Sequence, residues 1–179
     1  MKHQLVAGAA LVLSVLAMAA CSSGSSATST TKPATVTTLA PKPVASTTTT
    51  TLSVAQYAAK YSAIVAPANA AITAVNSQVQ ALGGSATSAQ LTSILTPAIN
   101  AMNTAISQLA AIQWPGNVET DMRALITDNG AVVGDLTALE SANALTASSV
   151  ETKMSEDAGT SKAAADLVHA DLGLPQVSS

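Results

Sequence analysis

The chain has no phenylalanine, and only one Trp, two Tyr, one Cys and two His among 179 residues. Each scarcity excludes something. A single cysteine, Cys21, cannot close an internal disulfide, and no Cys/His set has the number and spacing of a zinc site. His169 has Asp166 three residues before it on the same helical face, but no second histidine follows and no Glu-x-x-His pair of the di-iron type occurs. Serine and threonine abound, yet there is no Gly-x-Ser-x-Gly elbow and no evident triad around the one domain histidine. Nothing selects a pair of carboxylates for glycoside chemistry. The expectation is a protein that is not an enzyme and holds no metal or cofactor. Basic residues are also few. From Leu52 onward ten acids face only Lys60, Arg123, Lys153 and Lys162, a formal charge of −6 with His neutral. That balance repels nucleic acid and anionic membrane surfaces.

What the chain does have begins at its N-terminus. Met1, Lys2 and His3 form a short polar, basic start, and Leu5 to Ala20 is almost wholly apolar. This is the pattern of a secretory signal, too short and too abruptly ended for a spanning helix. The stretch Leu16-Ala17-Met18-Ala19-Ala20-Cys21 resembles the lipobox of bacterial lipoproteins. The resemblance implies that residues 1–20 are a signal peptide. It also implies that Cys21 carries a diacylglycerol, with palmitate-class chains, as the first mature residue. At about 0.8 kcal/mol per buried methylene, two or three acyl chains anchor a protein stably. The family usually has Leu where Met18 stands. Cleavage after Ala17-Met18-Ala19 or Met18-Ala19-Ala20 is the rival; it would release a soluble protein with an unpaired thiol.

Residues 21–51 follow as a tether of Ser, Thr, Ala, Pro and Val, with Pro33, Pro41, Pro43 and the run Thr47 to Thr51. Such a segment cannot bury enough apolar surface to offset the entropy of ordering, so it is expected to be disordered. About thirty residues reach roughly 30 Å as a coil and ~90 Å as extended polyproline. Ser/Thr with Pro is also the composition of O-glycosylated stalks.

From Leu52 the apolar residues recur with a helical period. The first helix opens at Ser53-Val54-Ala55-Gln56, a capping box, and carries Tyr57, Tyr61, Ile64, Ala68, Ile72 and Val75 through Pro67 to Gly83-Gly84. The second opens near Thr87-Ser88-Ala89-Gln90, contains Pro97, and stops at Trp114-Pro115-Gly116. The third is expected to be capped by Asn117 and to fade near Leu145. The fourth is expected to start with a Ser148–Glu151 capping box and to stop at Gly173-Leu174-Pro175. Short connections predict an all-α, up-down-up-down four-helix bundle over 52–175, with the first two helices kinked at their prolines, and a C-terminal tail at 176–179.

Three features of this bundle bear on function. Matched bends at Pro67 and Pro97 could open a ligand cavity bounded by Pro67, Ile72, Pro97, Met102, Asn129 and Val132; alternatively they only curve the helices around the core, with Asn129 fixing register. The topology also gathers Tyr57, Tyr61, Trp114 and His169 at one end, as a plug or as an aromatic rim. His169 itself is expected at the surface or at the bundle end. Asp121, Asp128 and Asp135 recur every seven residues, as a solvated flank or as a docking stripe.

As a whole the chain resembles the small alanine-rich lipoproteins of high-GC Gram-positive bacteria. The residues that carry this are Ala17 to Cys21, the Thr/Pro/Ala linker and the segment Tyr61 to Ala70. The resemblance implies an exported protein on the outer face of the cell membrane, held there by its lipid. Two roles remain open. One is an interaction or structural module that docks another envelope protein or the wall. The other is a carrier for an apolar small molecule or lipid. If the boundary at Leu52 is right, deleting residues 22–50 leaves the thermal melt unchanged; a large fall in the melting temperature would show that the tether belongs to the folded unit.

Overall fold

The computed structural model of the protein describes residues 52–82, 86–142 and 146–177. The signal peptide, Cys21, the tether, the Gly83-Gly84 stop and Leu145 lie outside the described residues. Four helices are present: α1 (Val54–Ala81), α2 (Ser88–Ala110), α3 (Gly116–Ser141) and α4 (Ala147–Leu172). There is no strand among the described residues, and no helix there is long and apolar enough to cross a membrane.

Local chemistry starts α1 and α2. Ser53 Oγ accepts from the Gln56 amide at 3.3 Å, while Gln56 Oε1 accepts from the Ser53 amide at 2.8 Å. Thr87 and Gln90 repeat the arrangement. Each box satisfies two of the amides that a helix start leaves unpaired. Neither helix stops at its proline. Pro67 and Pro97 deprive the carbonyls of Ala63 and Ser93 of their helical donors. All four residues are exposed, so water can satisfy those carbonyls.

The other two starts differ from the expectation. α3 begins at Gly116, and Asn117 caps nothing. Pro115 holds the extended entry conformation, and its carbonyl accepts from Val118 and Glu119 at 2.8 and 2.9 Å. A proline already fixed at φ −66° sets the chain direction without a side-chain cap. α4 begins at Ala147, two residues ahead of a Ser148-based box; the Thr146 carbonyl accepts from the Val150 amide and the Ser149 hydroxyl.

Antiparallel order follows from the side chains that meet. Tyr57, at the start of α1, reaches Gln113 after the end of α2. Thr96, early in α2, bonds Glu140, late in α3. Asn129 and Asp135 of α3 meet Ser161 and Lys153 of α4 in descending order. Tyr61 of α1 meets His169 near the end of α4. The result is an up-down-up-down bundle. Among the packed pairs, α3 and α4 share the most extensive contact, and α1 and α4 the least.

The core has two parts. The part beside the α1 start is built on Tyr61, Val65, Leu109, Met122, Leu125 and Val168. The far part is built on Ile72, Leu95, Met102, Val132, Leu136 and Met154. The chain does not leave the bundle at residue 175. Gly173 takes the left-handed conformation (φ +67°), Leu174 donates to the His169 carbonyl at 2.8 Å, and Val177 is buried in the first part of the core. Leu174 to Val177 therefore form a strap laid back along α4.

The two kinds of helix start give opposite expectations. Ser53→Ala or Thr87→Ala loses about 1 kcal/mol of stability, whereas Asn117→Ala and Ser148→Ala stay near neutral in denaturant melts.

Candidate functional site

Tyr57, Tyr61, Trp114 and His169 lie together at the end where α1 begins. The Tyr57 and Trp114 rings are 5.6 Å apart, and those of Tyr61 and His169 are 5.3 Å apart, edge to face. Tyr57 Oη donates to the Gln113 carbonyl at 3.1 Å, and Trp114 Nε1 donates to the Leu109 carbonyl at 2.9 Å. Those bonds let two amphipathic rings close the α2–α3 corner without stranding a polar atom. All four residues are buried; none offers an exposed aromatic surface.

His169 stands at the bundle end, one of its two expected places, and not at the surface. It is fully buried, because α1 and the strap cover it from two sides. Its Nδ1 is in contact with the Pro175 carbonyl, which can only accept. That places a proton on Nδ1, and Nε2 has no partner among the described residues. The Tyr61 hydroxyl likewise has none. Burial pushes its pKa up, so it stays protonated and is a donor.

The six cavity candidates separate. Ile72, Met102, Asn129 and Val132 are buried in the core. Pro67 and Pro97 stand on the outer surface and line no interior space. Proline is found where its missing amide costs least, on the solvent side of a helix. Asn129 Oδ1 accepts from Ser161 Oγ at 3.0 Å, fully inside the bundle, while its Nδ2 has no partner among the described residues. The helical spacing of Met154, Ala158, Ser161 and Ala165 turns Ser161 inward, but spacing within one helix does not name Asn129 of another as its partner.

The aspartate stripe also divides. Asp121 and Asp128 are half-buried, but Asp135 is only 5 % exposed and pairs with Lys153 at 3.0 Å. Lys153 also holds Asp157, keeping its carboxyl below the usual range. No cluster of three or more metal-ligating side chains occurs among the described residues.

A groove that the periodicity did not indicate runs along the α2–α3 corner, with a volume of about 750 Å³. Leu109, Trp114, Met122 and Ile126 give it an apolar floor, and the Glu119–Arg123 ion pair stands on its rim. It is an open trough with one compensated charge pair.

The strap is held by Asp166. Its Oδ1 accepts from the Val177 amide at 2.9 Å, and its other oxygen from Lys162 Nζ at 2.8 Å. The Lys162 hydrogen bond first, then the Val177 amide and the charges of Lys162 and His169, holds this carboxyl below its usual range. A depressed native pKa stabilises above the unfolded value, about 3.9, and that contribution is lost as pH falls through the native value. Val177 amide protection from hydrogen exchange is therefore expected to hold at neutral pH and to be lost progressively as pH falls below the ordinary carboxylate range. Unchanged protection through that range would show that Asp166 does not hold the strap. Comparison of the chain with protein-family models, with curated proteins and with solved structures found no match.

Proposed function

We propose that this is a membrane-tethered, extracytoplasmic interaction module of the cell envelope, anchored through a lipid on Cys21. The sequence of residues 16–21 supports the anchor. The observation that carries the module is the partition of its surface. α1 and α2 together bear one charged side chain, Lys60, while all ten acids lie on α3 and α4.

The neutral side is also quieter than its composition suggests. Thr73, Ser77, Thr104 and Ser107 donate their hydroxyls to carbonyls of their own helices four residues back. On α1 the exposed methyls of Ala63, Ala66, Ala70 and Ala74 add apolar surface. Methyls, and hydroxyls already bonded to their own helix, cost less to desolvate than charged groups do. The acidic side carries a strong field of one sign. A domain with one weakly hydrated face and one acidic face meets a partner in a defined orientation.

Two measurements test the two halves of the reading. Growth with an alkyne-tagged palmitate labels the wild-type chain and leaves Cys21→Ser unlabelled; an unlabelled wild type removes the anchor. Photo-cross-linkers placed at Ala70 and Asn103 on the neutral side, in intact cells, give a discrete adduct with an envelope protein or wall fragment that Lys60→Glu weakens. No adduct from these positions or from matched sites on α3 and α4 removes the module.

A further inference from the structure

Most buried polar atoms in a folded core have a partner, because an unpaired one costs about 1–3 kcal/mol. This bundle leaves several unpaired on the helices that border one seam. Tyr61 Oη, His169 Nε2 and Asn129 Nδ2 belong to fully buried residues, and none has a partner among the described residues. Asn69 is half-buried, yet both its amide oxygen and its amide nitrogen are enclosed and unpaired.

The register places these groups in two layers. Tyr61 of α1 meets His169 of α4. Eight residues further along α1 is Asn69, and eight residues back along α4 is Ser161, the partner of Asn129. At about 1.5 Å per residue the two layers are ~12 Å apart along the bundle. Val65 and Ala165, both apolar and buried, lie between them. Asn69 shares the flank of α1 that carries Ala58 and Ser62, away from the Tyr57 side that meets α2. By helical spacing that flank lies on the side of α1 turned from α2 towards α4, the neighbour with which α1 packs less extensively. The opposing positions on α4 are small: Ala158, Ser161 and Ala165. The end of the seam beside the α1 start is closed by the strap through Val177 and Pro175.

We infer that the α1–α4 seam is an internal binding site for a neutral molecule bearing hydroxyl or amide groups, of which water is the smallest member. The chemistry of the lining selects the class. Tyr61 Oη and Asn129 Nδ2 donate, Asn69 both donates and accepts, and His169 Nε2 stands unpaired beside them. An ion is excluded because the nearest charges, Lys162 and Asp166, already neutralise each other on the rim, and a buried unpaired charge is far more costly than a buried hydroxyl. A guest with polar groups at both ends of an aliphatic stretch satisfies both layers; separate water molecules satisfy each layer on its own. The inference needs neither the lipid anchor nor a docking partner.

The test uses the full chain, isotope-labelled and exported as the Cys21→Ser variant, purified without detergent. Nuclear Overhauser contacts are recorded from the side-chain amides of Asn69 and Asn129 and from the His169 ring. Contacts to long-lived water identify a hydrated site, and contacts to a co-purified organic molecule identify a carrier site; either supports the inference. Complete absence of both kinds at all three side chains overturns it. Tyr61→Phe gives an independent reading, because it changes no volume that the fold needs. A bound guest loses its donor, and the melting temperature falls by a few degrees with loss of the His169 contact. A rise in melting temperature would show a hydroxyl stranded in a dry core, and the site would not exist.

Discussion

The whole bundle depends on the close approach of α3 and α4. A chain without phenylalanine has few large side chains with which to fill the space between helices, so dispersion must come from short contacts between small ones. Ala164, Ala165 and Ser161 let α4 lie against α3, and the buried Asn129–Ser161 bond allows that approach in one register. The Asp135–Lys153 pair repeats the same register nearer the loop. The same small side chains that admit α3 on one side of α4 leave room on its other side. The tight α3–α4 pair and the loose α1–α4 seam are therefore two results of one composition.

Much of this fold can be read from the residues in order. The capping boxes at Ser53 and Thr87 and the stop at Gly173 are short-range devices, and each operates where its sequence stands. The stripes of Tyr61, Ile72, Met102 and Leu125 carry the helical period into the core. The misread starts of α3 and α4 share one feature: neither Pro115 nor Thr146 supplies a side-chain cap, so the nearby Asn117 and Ser148, which have the residue type of a cap, mark the wrong place.

The candidate site was less legible, for a related reason. The seam depends on which side of α1 turns towards α4, and that is set by the loops and by the pairing of Tyr57 with Gln113. His169 reads as a terminal residue until the strap covers it. The strap is held by one carboxylate, buried Val177 and half-buried Leu174, with no period between them. Pro67 and Pro97 mislead in the opposite direction: they are conspicuous in sequence, and the structure turns both outward.

The single tryptophan has a practical consequence. Trp114 is buried against Tyr57 at one end of the bundle, and neither of the two tyrosines nor any other aromatic ring stands in the far part of the core. The protein's ultraviolet emission thus reports on one end alone, while circular dichroism weighs all four helices. If the part around Met102 and Leu136 loosens first, the dichroism signal falls while the fluorescence stays native. The order of disassembly can then be followed without attaching any dye.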